Sequence, residues 1–99
     1  MNDDGDFLIR LAELLDQGFS IEVAISYLSI TSPKERLRYK QILTSLEQGN
    51  TFYTAIKQAN FPEFISAPIF YAAEHGYFTK TLHECGTLLK KKSRTRKNT

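Results

Sequence analysis

The sequence contains no tryptophan, one methionine and one cysteine in 99 residues. A lone thiol, Cys85, forms no internal disulfide, so nothing covalent staples the fold, and the chain suits a reducing compartment. No apolar run approaches the ~20 residues that span a bilayer, and no secretory h-region follows Met1, so the segment reads as a soluble, cytoplasmic piece. No stretch alternates apolar and polar residues over a useful length, which argues against strands. There is also no phosphate-cradling glycine loop, no His-Glu-X-X-His and no nucleophile elbow, and with them go the common routes to nucleotide, zinc and acyl chemistry.

What is present is helical patterning. An apolar share of 41% with 24% charged residues belongs to an ordinary globular chain of one domain. Phe7, Leu8, Leu11, Leu14 and Leu15 form a stripe of 3.6-residue period from Asp6 onward, with Gly18 as its stop. Ser20 caps a second helix, with Glu22 in its first turn and Ile21, Val23, Ala24, Ile25, Tyr27 and Leu28 along it. Ser32-Pro33-Lys34-Glu35 reads as a capping box with proline at the first helical position, opening a third helix that runs to about Gln48. Gly49 ends it, and Thr51 caps a fourth helix containing Phe52, Ala55 and Ile56. Phe61-Pro62 interrupts the chain before a fifth helix, about Glu63 to His75, in which Pro68 sits in the first turns or kinks the axis. Gly76 closes that helix and Thr79 caps a sixth, which leads into the C-terminus.

Three corners therefore share one grammar of helix, glycine, short link, hydroxyl cap and helix. They are Leu15 to Ser20, Leu46 to Thr51 and Glu74 to Thr79. A helix pair of this kind cannot bury its apolar stripe alone, so the pairs must stack. The expectation is an all-α fold, a compact bundle of six short helices built from antiparallel helix hairpins. A polar, disordered N-terminus over 1–5 is expected to precede the domain proper at 6–92, and a basic juxtamembrane tail to follow at 93–99.

Charge is distributed unevenly. The net charge of +2 conceals six basic residues, Lys90, Lys91, Lys92, Arg94, Arg96 and Lys97, in the last ten positions without an acid among them. The remainder holds seven basic against 11 acidic residues, a body near −4. Such a tail fits the cytoplasmic flank of a membrane span, where anionic lipid attracts each charge by about 1 kcal/mol. Nucleic acid is the other partner for a basic run, but no aromatic platform is interleaved with this one.

Candidate catalytic groups do not assemble in the sequence. His83 and Cys85 lie two residues apart on a helix, about 200° around the axis, and cannot share a metal. His75, at the end of the fifth helix, reads as a cation complementing the helix dipole. Cys85 on a leucine-rich helix reads as a small buried apolar residue. No enzyme, cofactor or metal site is expected.

Several of these elements carry a family resemblance. Phe7 to Gly18 followed by Ile21 and Ala24-Ile25, then Leu46-Glu47-Gln48-Gly49 with Thr51-Phe52 and Ala55-Ile56, then Asn60-Phe61-Pro62, together resemble the type II secretion system F domain family over about residues 6–92. The resemblance implies a cytoplasmic helical domain of a membrane-embedded platform at the base of a secretion, type IV pilus or competence machine. It implies docking of an assembly ATPase, of other platform components and of a second copy of the chain, with no role for nucleic acid. The short, His-Gly-containing version is most similar to the Gram-positive competence branch, which serves DNA uptake. Some members are said to hold calcium at the third corner, but here Ala72-Ala73 stands where they have Gly-Glu. That leaves Glu74 as a weak metal candidate and implies that the site is absent. Tyr71, Tyr77 and Phe78 flank this corner, where the family's subunit contacts lie, and are the expected partner-binding residues. The alternative reading is a small helical nucleic-acid binder using the basic tail, and a third is a free-standing helical adaptor.

Overall fold

The computed structural model describes residues 3–75 and 77–97, with side chains over 4–72 and 77–91. Among the described residues six α-helices follow one another: α1 Asp3–Asp16, α2 Ile21–Thr31, α3 Arg36–Glu47, α4 Phe52–Gln58, α5 Glu63–His75 and α6 Phe78–Lys97. A 3-10 turn, Pro33–Glu35, leads into α3. Each helix packs on its neighbour in sequence, and α1 closes the ring on α6. The all-α bundle read from the periodicity is the observed fold.

The helix ends follow local chemistry. Gly18 and Gly49 adopt φ of 100° and 96°, the left-handed region where a side chain is penalised. The Phe19 N–H donates to the Leu14 carbonyl at 3.2 Å and the Gly18 N–H to that of Leu15 at 3.0 Å, the two bonds of a Schellman motif. The second corner repeats it, with Asn50 N–H to Ser45 and Gly49 N–H to Leu46. A further motif of this kind was not expected: Asn60 takes φ 71°, and Phe61 and Asn60 N–H groups donate back to Ile56 and Lys57. The Ser20 and Thr51 side chains accept from Val23 and Thr54 N–H groups as N-caps. Gly76 itself and the side chains of Ala73, Glu74 and His75 lie outside the described residues.

Three local expectations fail. The Ser32 capping box does not form: Ser32 makes no side-chain cap bond, the chain takes a 3-10 turn instead, and Glu35 pairs with Arg38 at 3.5 Å. Thr79 is not a cap, because α6 already begins at Phe78. The N-terminal helix starts at Asp3, not Asp6, so residues 3–5 belong to the bundle. Pro68 lies inside α5, five residues beyond its start, where it supplies no N–H to the helix ladder. At the other terminus α6 runs unbroken through Lys97, so position 93 marks no structural boundary.

The early start of α1 has a packing cause. A Cβ on Gly5 would stand 2.8 Å from the Gly86 carbonyl oxygen, and one on Gly86 would stand 2.7 Å from that of Gly5. The two glycines let the α1 and α6 backbones touch. Gly5 opposite Gly86, Asp6 on Lys90 at 3.0 Å and Asp16 facing His83 at 4.0 Å set the pair antiparallel.

The core lies inside the ring. Leu8, Leu11, Ile25, Ile42, Ile56, Ile65, Ile69 and Leu82 are fully buried, one or more from each helix. Phe7 stacks on Tyr39 with centroids 4.3 Å apart and tilts against Phe61 at 5.9 Å. Burying side chains of this size contributes about 1.5–3 kcal/mol each.

Candidate docking surfaces

The bundle has two unlike ends. At one end, Phe52 at the start of α4 meets Phe78 at the start of α6 edge-on, with centroids 5.6 Å apart. The end of α1 lies beside them, with Asp16 against His83. The links after Gly18 and Gly49 therefore share this end with the opening of α6. At the opposite end Arg38 gathers three segments. Its Nη2 donates to Asp4 Oδ2 at 3.0 Å, its Nε to the Ala59 carbonyl at 2.8 Å, and its guanidinium lies 4.6 Å from the Phe61 ring centroid. Partial burial pulls the Arg38 pKa down, but the hydrogen bond and charge of Asp4, with Glu35 behind them, prevail and raise it.

At the glycine-corner end the expected partner residues separate. Tyr71 and Tyr77 are each 65% exposed. Phe78 is half-buried and packs on the core through Phe52, so its ring is largely committed to the fold. Of the other aromatics crowded into 61–78, Phe61 is buried, while Phe70 stays half in solvent with its ring 4.9 Å from Tyr53. The Tyr77 N–H donates to the Ala72 carbonyl at 3.3 Å, which fixes its backbone against the end of α5.

A second surface lies on α2 and was not anticipated. Phe19, Val23, Tyr27 and Ile30 recur at helical spacing and all are exposed, Ile30 by 67%. The only charge on α2 is Glu22. A groove of about 450 Å³ runs beside the stripe, lined by Leu14, Gln17, Phe19, Val23, Ala24 and Tyr27. The signal was present, since α2 has apolar residues on every side. Periodicity alone assigns them all to the core.

The basic residues sit on α6. Lys90 pairs with Asp6 and Lys91 is exposed, while the side chains of Lys92, Arg94, Arg96 and Lys97 lie outside the described residues. Polar chemistry elsewhere is structural. The Cys85 thiol is buried, its Sγ 3.8 Å from the Ile65 carbonyl, and burial first and the Glu84 charge second push its pKa up. Such a thiol carries little thiolate and is a poor nucleophile. Asn50 donates to Ser45 Oγ at 3.0 Å, and Ser45 to Gln58 at 3.2 Å, which ties α3 to α4. Among the described residues no three of His, Cys, Asp and Glu gather where an ion would sit.

The ring of six helices turns several large apolar side chains outward, among them those of α2 and the tyrosines beside the third corner. The family model for the Type II secretion system (T2SS), protein F, matches residues 7–99, and the chain belongs to that family. Its members are membrane-associated, non-enzymatic platform proteins of secretion and pilus machines. No curated protein and no solved structure matches the chain. Among the described residues no helix is long and apolar enough to cross a membrane.

Proposed function

We propose that the chain is a cytoplasmic domain of a bacterial inner-membrane assembly platform, where it docks the assembly ATPase, other platform components and a second copy of itself. The machine would build a pilus or pseudopilus for secretion or, as in competence, for DNA uptake. The observation that carries the reading is the pair Tyr71 and Tyr77, both 65% exposed on either side of the third corner. Exposed aromatic side chains are the groups that most often anchor protein interfaces, because they bring large area at little entropic cost. Work done by packing is the alternative to catalysis that this surface supports.

The test is a binding isotherm of the chain with its cognate assembly ATPase, together with sedimentation over a range of concentrations. Replacing Tyr71 and Tyr77 with alanine weakens both associations at least tenfold, while helicity by circular dichroism stays the same. Unaltered affinity and sedimentation in the double variant would overturn the proposal.

A further inference from the structure

We infer that the seam between α1 and α2 is a docking groove for a short amphipathic helix of another protein, apolar along one stripe and acidic at one end. Two clefts follow one another along this seam. The first, of about 450 Å³, lies at the glycine-corner end, between Leu14 and Gln17 of α1 and Val23 and Tyr27 of α2. The second, of about 540 Å³, lies at the Arg38 end, with Asp6 and Arg10 of α1 on one side and Thr31 and Lys34 on the other. Arg10 is one turn from Leu14 and Thr31 one turn from Tyr27, so the two clefts are consecutive stretches of one groove. Together they run the length of α2, 11 residues or about 16 Å.

The shape and polarity of the walls select the occupant. Val23, Tyr27 and Ile30 stand exposed at i, i+4 and i+7 along one wall, and Ala24, with a single methyl group, leaves room beside them. A partner helix meets such a wall with apolar residues of its own at the same spacing. A lipid surface suits it poorly, because α2 carries no basic residue and a flat bilayer face leaves a groove unfilled. A second copy of the chain suits it poorly too. Its own α2 is flanked by α1 and α3 and cannot sink between the walls. Two such helices laid face to face touch over roughly 16 by 10 Å, a small part of the about 800 Å² that each partner brings to a stable dimer. A free helix enters the groove and covers both walls.

Charge sets the direction. Arg10 and Lys34 are exposed, and among the described residues neither is paired with an acid. The acids beside them are already engaged, Asp6 with Lys90 at 3.0 Å and Glu35 with Arg38 at 3.5 Å. The Ser32 hydroxyl, which caps nothing, lines the same cleft. At the glycine-corner end the exposed charges of the two helices are acidic, with Glu13 on α1 and Glu22 on α2. The groove is therefore positive at one end, apolar along its middle and negative at the other. Carboxylates one turn beyond a partner's last apolar residue would meet Arg10 and Lys34, and the guanidinium can hold one by two parallel hydrogen bonds. At the opposite end Glu22 repels them, so the helix seats one way round.

The experiment titrates the full chain into fluorescent synthetic peptides and reads anisotropy. The probe is an alanine-rich helix of about 18 residues with leucines at i, i+4 and i+7 and two glutamates one turn beyond. One comparison peptide has lysine for both glutamates, and another has serine for all three leucines. The expected result is a dissociation constant below about 100 μM for the acidic peptide and binding about tenfold weaker or worse for the other two. Arg10→Glu together with Lys34→Glu is expected to reverse the preference in favour of the lysine peptide. Val23→Ser together with Tyr27→Ser is expected to lose both, with helicity by circular dichroism unchanged in each variant. No binding of the acidic peptide at that strength, equal binding of the acidic and lysine peptides, or an unreversed preference in the charge variant overturns the inference. So does a serine variant that binds peptide as wild type does but sediments as a smaller species, which would make α2 a contact between copies. Among the described residues α2 makes no contact with α5 or α6, so alanine at Tyr71 and Tyr77 leaves peptide binding unchanged and the two proposals fail separately.

Discussion

Ser20, Ser32 and Thr51 stand in the same relation to the sequence, each a hydroxyl just ahead of a helix. Ser20 and Thr51 have extended backbones, with ψ of 160° and 162°, and their oxygens accept from the N–H groups three residues on. Ser32 has ψ of 78° and makes no such bond. Alanine at Ser20 or Thr51 is therefore expected to cost about 1 kcal/mol each in urea denaturation, and alanine at Ser32 close to nothing. Equal losses at all three would show that the capping box forms in solution. The contrast also marks what single residues reveal. Gly18 and Gly49 were legible because a positive φ is a local demand that glycine answers. The failure at Ser32 was not, since Glu35 is drawn off to Arg38, a partner decided by tertiary packing.

At the scale of elements, the close approach of α1 and α6 hangs on two glycines 81 positions apart in the chain. A methyl group on Gly86 would sit 2.6 Å from Ile9 Cγ1 and 2.7 Å from the Gly5 carbonyl oxygen. Alanine is ordinarily preferred to glycine inside a helix by about 1 kcal/mol. Here the backbone of the opposite helix is in the way, and overpacking costs about 1–3 kcal/mol or more. The expected outcome for Gly86→Ala is a net destabilisation of about 2 kcal/mol, read from the denaturation midpoint at unchanged slope. Stabilisation by the variant would mean that the helices stand further apart than described. Six helices could be counted from the sequence because each carries its own apolar period. The first turn of α1 could not, because Asp3-Asp4-Gly5-Asp6 is polar and broken by glycine, and what holds it is Gly86 and Arg38. The exposed stripe of α2 was hidden for the opposite reason: a helix apolar all round gives periodicity no way to tell its buried face from its open one.

Across the whole molecule the ring has no covalent closure, and the end away from the glycine corners is fastened chiefly by one side chain. Arg38 links the start of α1 through Asp4, the end of α4 through the Ala59 carbonyl and the α4–α5 link through the Phe61 ring. In the sequence it is one of two arginines on an amphipathic helix, with nothing to distinguish it from a solvated charge. Replacing it with methionine keeps aliphatic contact with Phe61 and removes the charge and the donors. Hydrogen bonds to charged groups contribute about 1.5–3 kcal/mol, but the Arg38 and Asp4 side chains are 25% and 21% exposed, so water and salt screen part of that. A loss of about 2 kcal/mol is expected for Arg38→Met at low salt. The difference from wild type should shrink between 0.05 and 1 M sodium chloride, where the screening length falls from more than ~10 Å to about 3 Å. A deficit that does not respond to salt would assign the role of Arg38 to packing on Phe61. No deficit at all would mean that the core alone closes the ring.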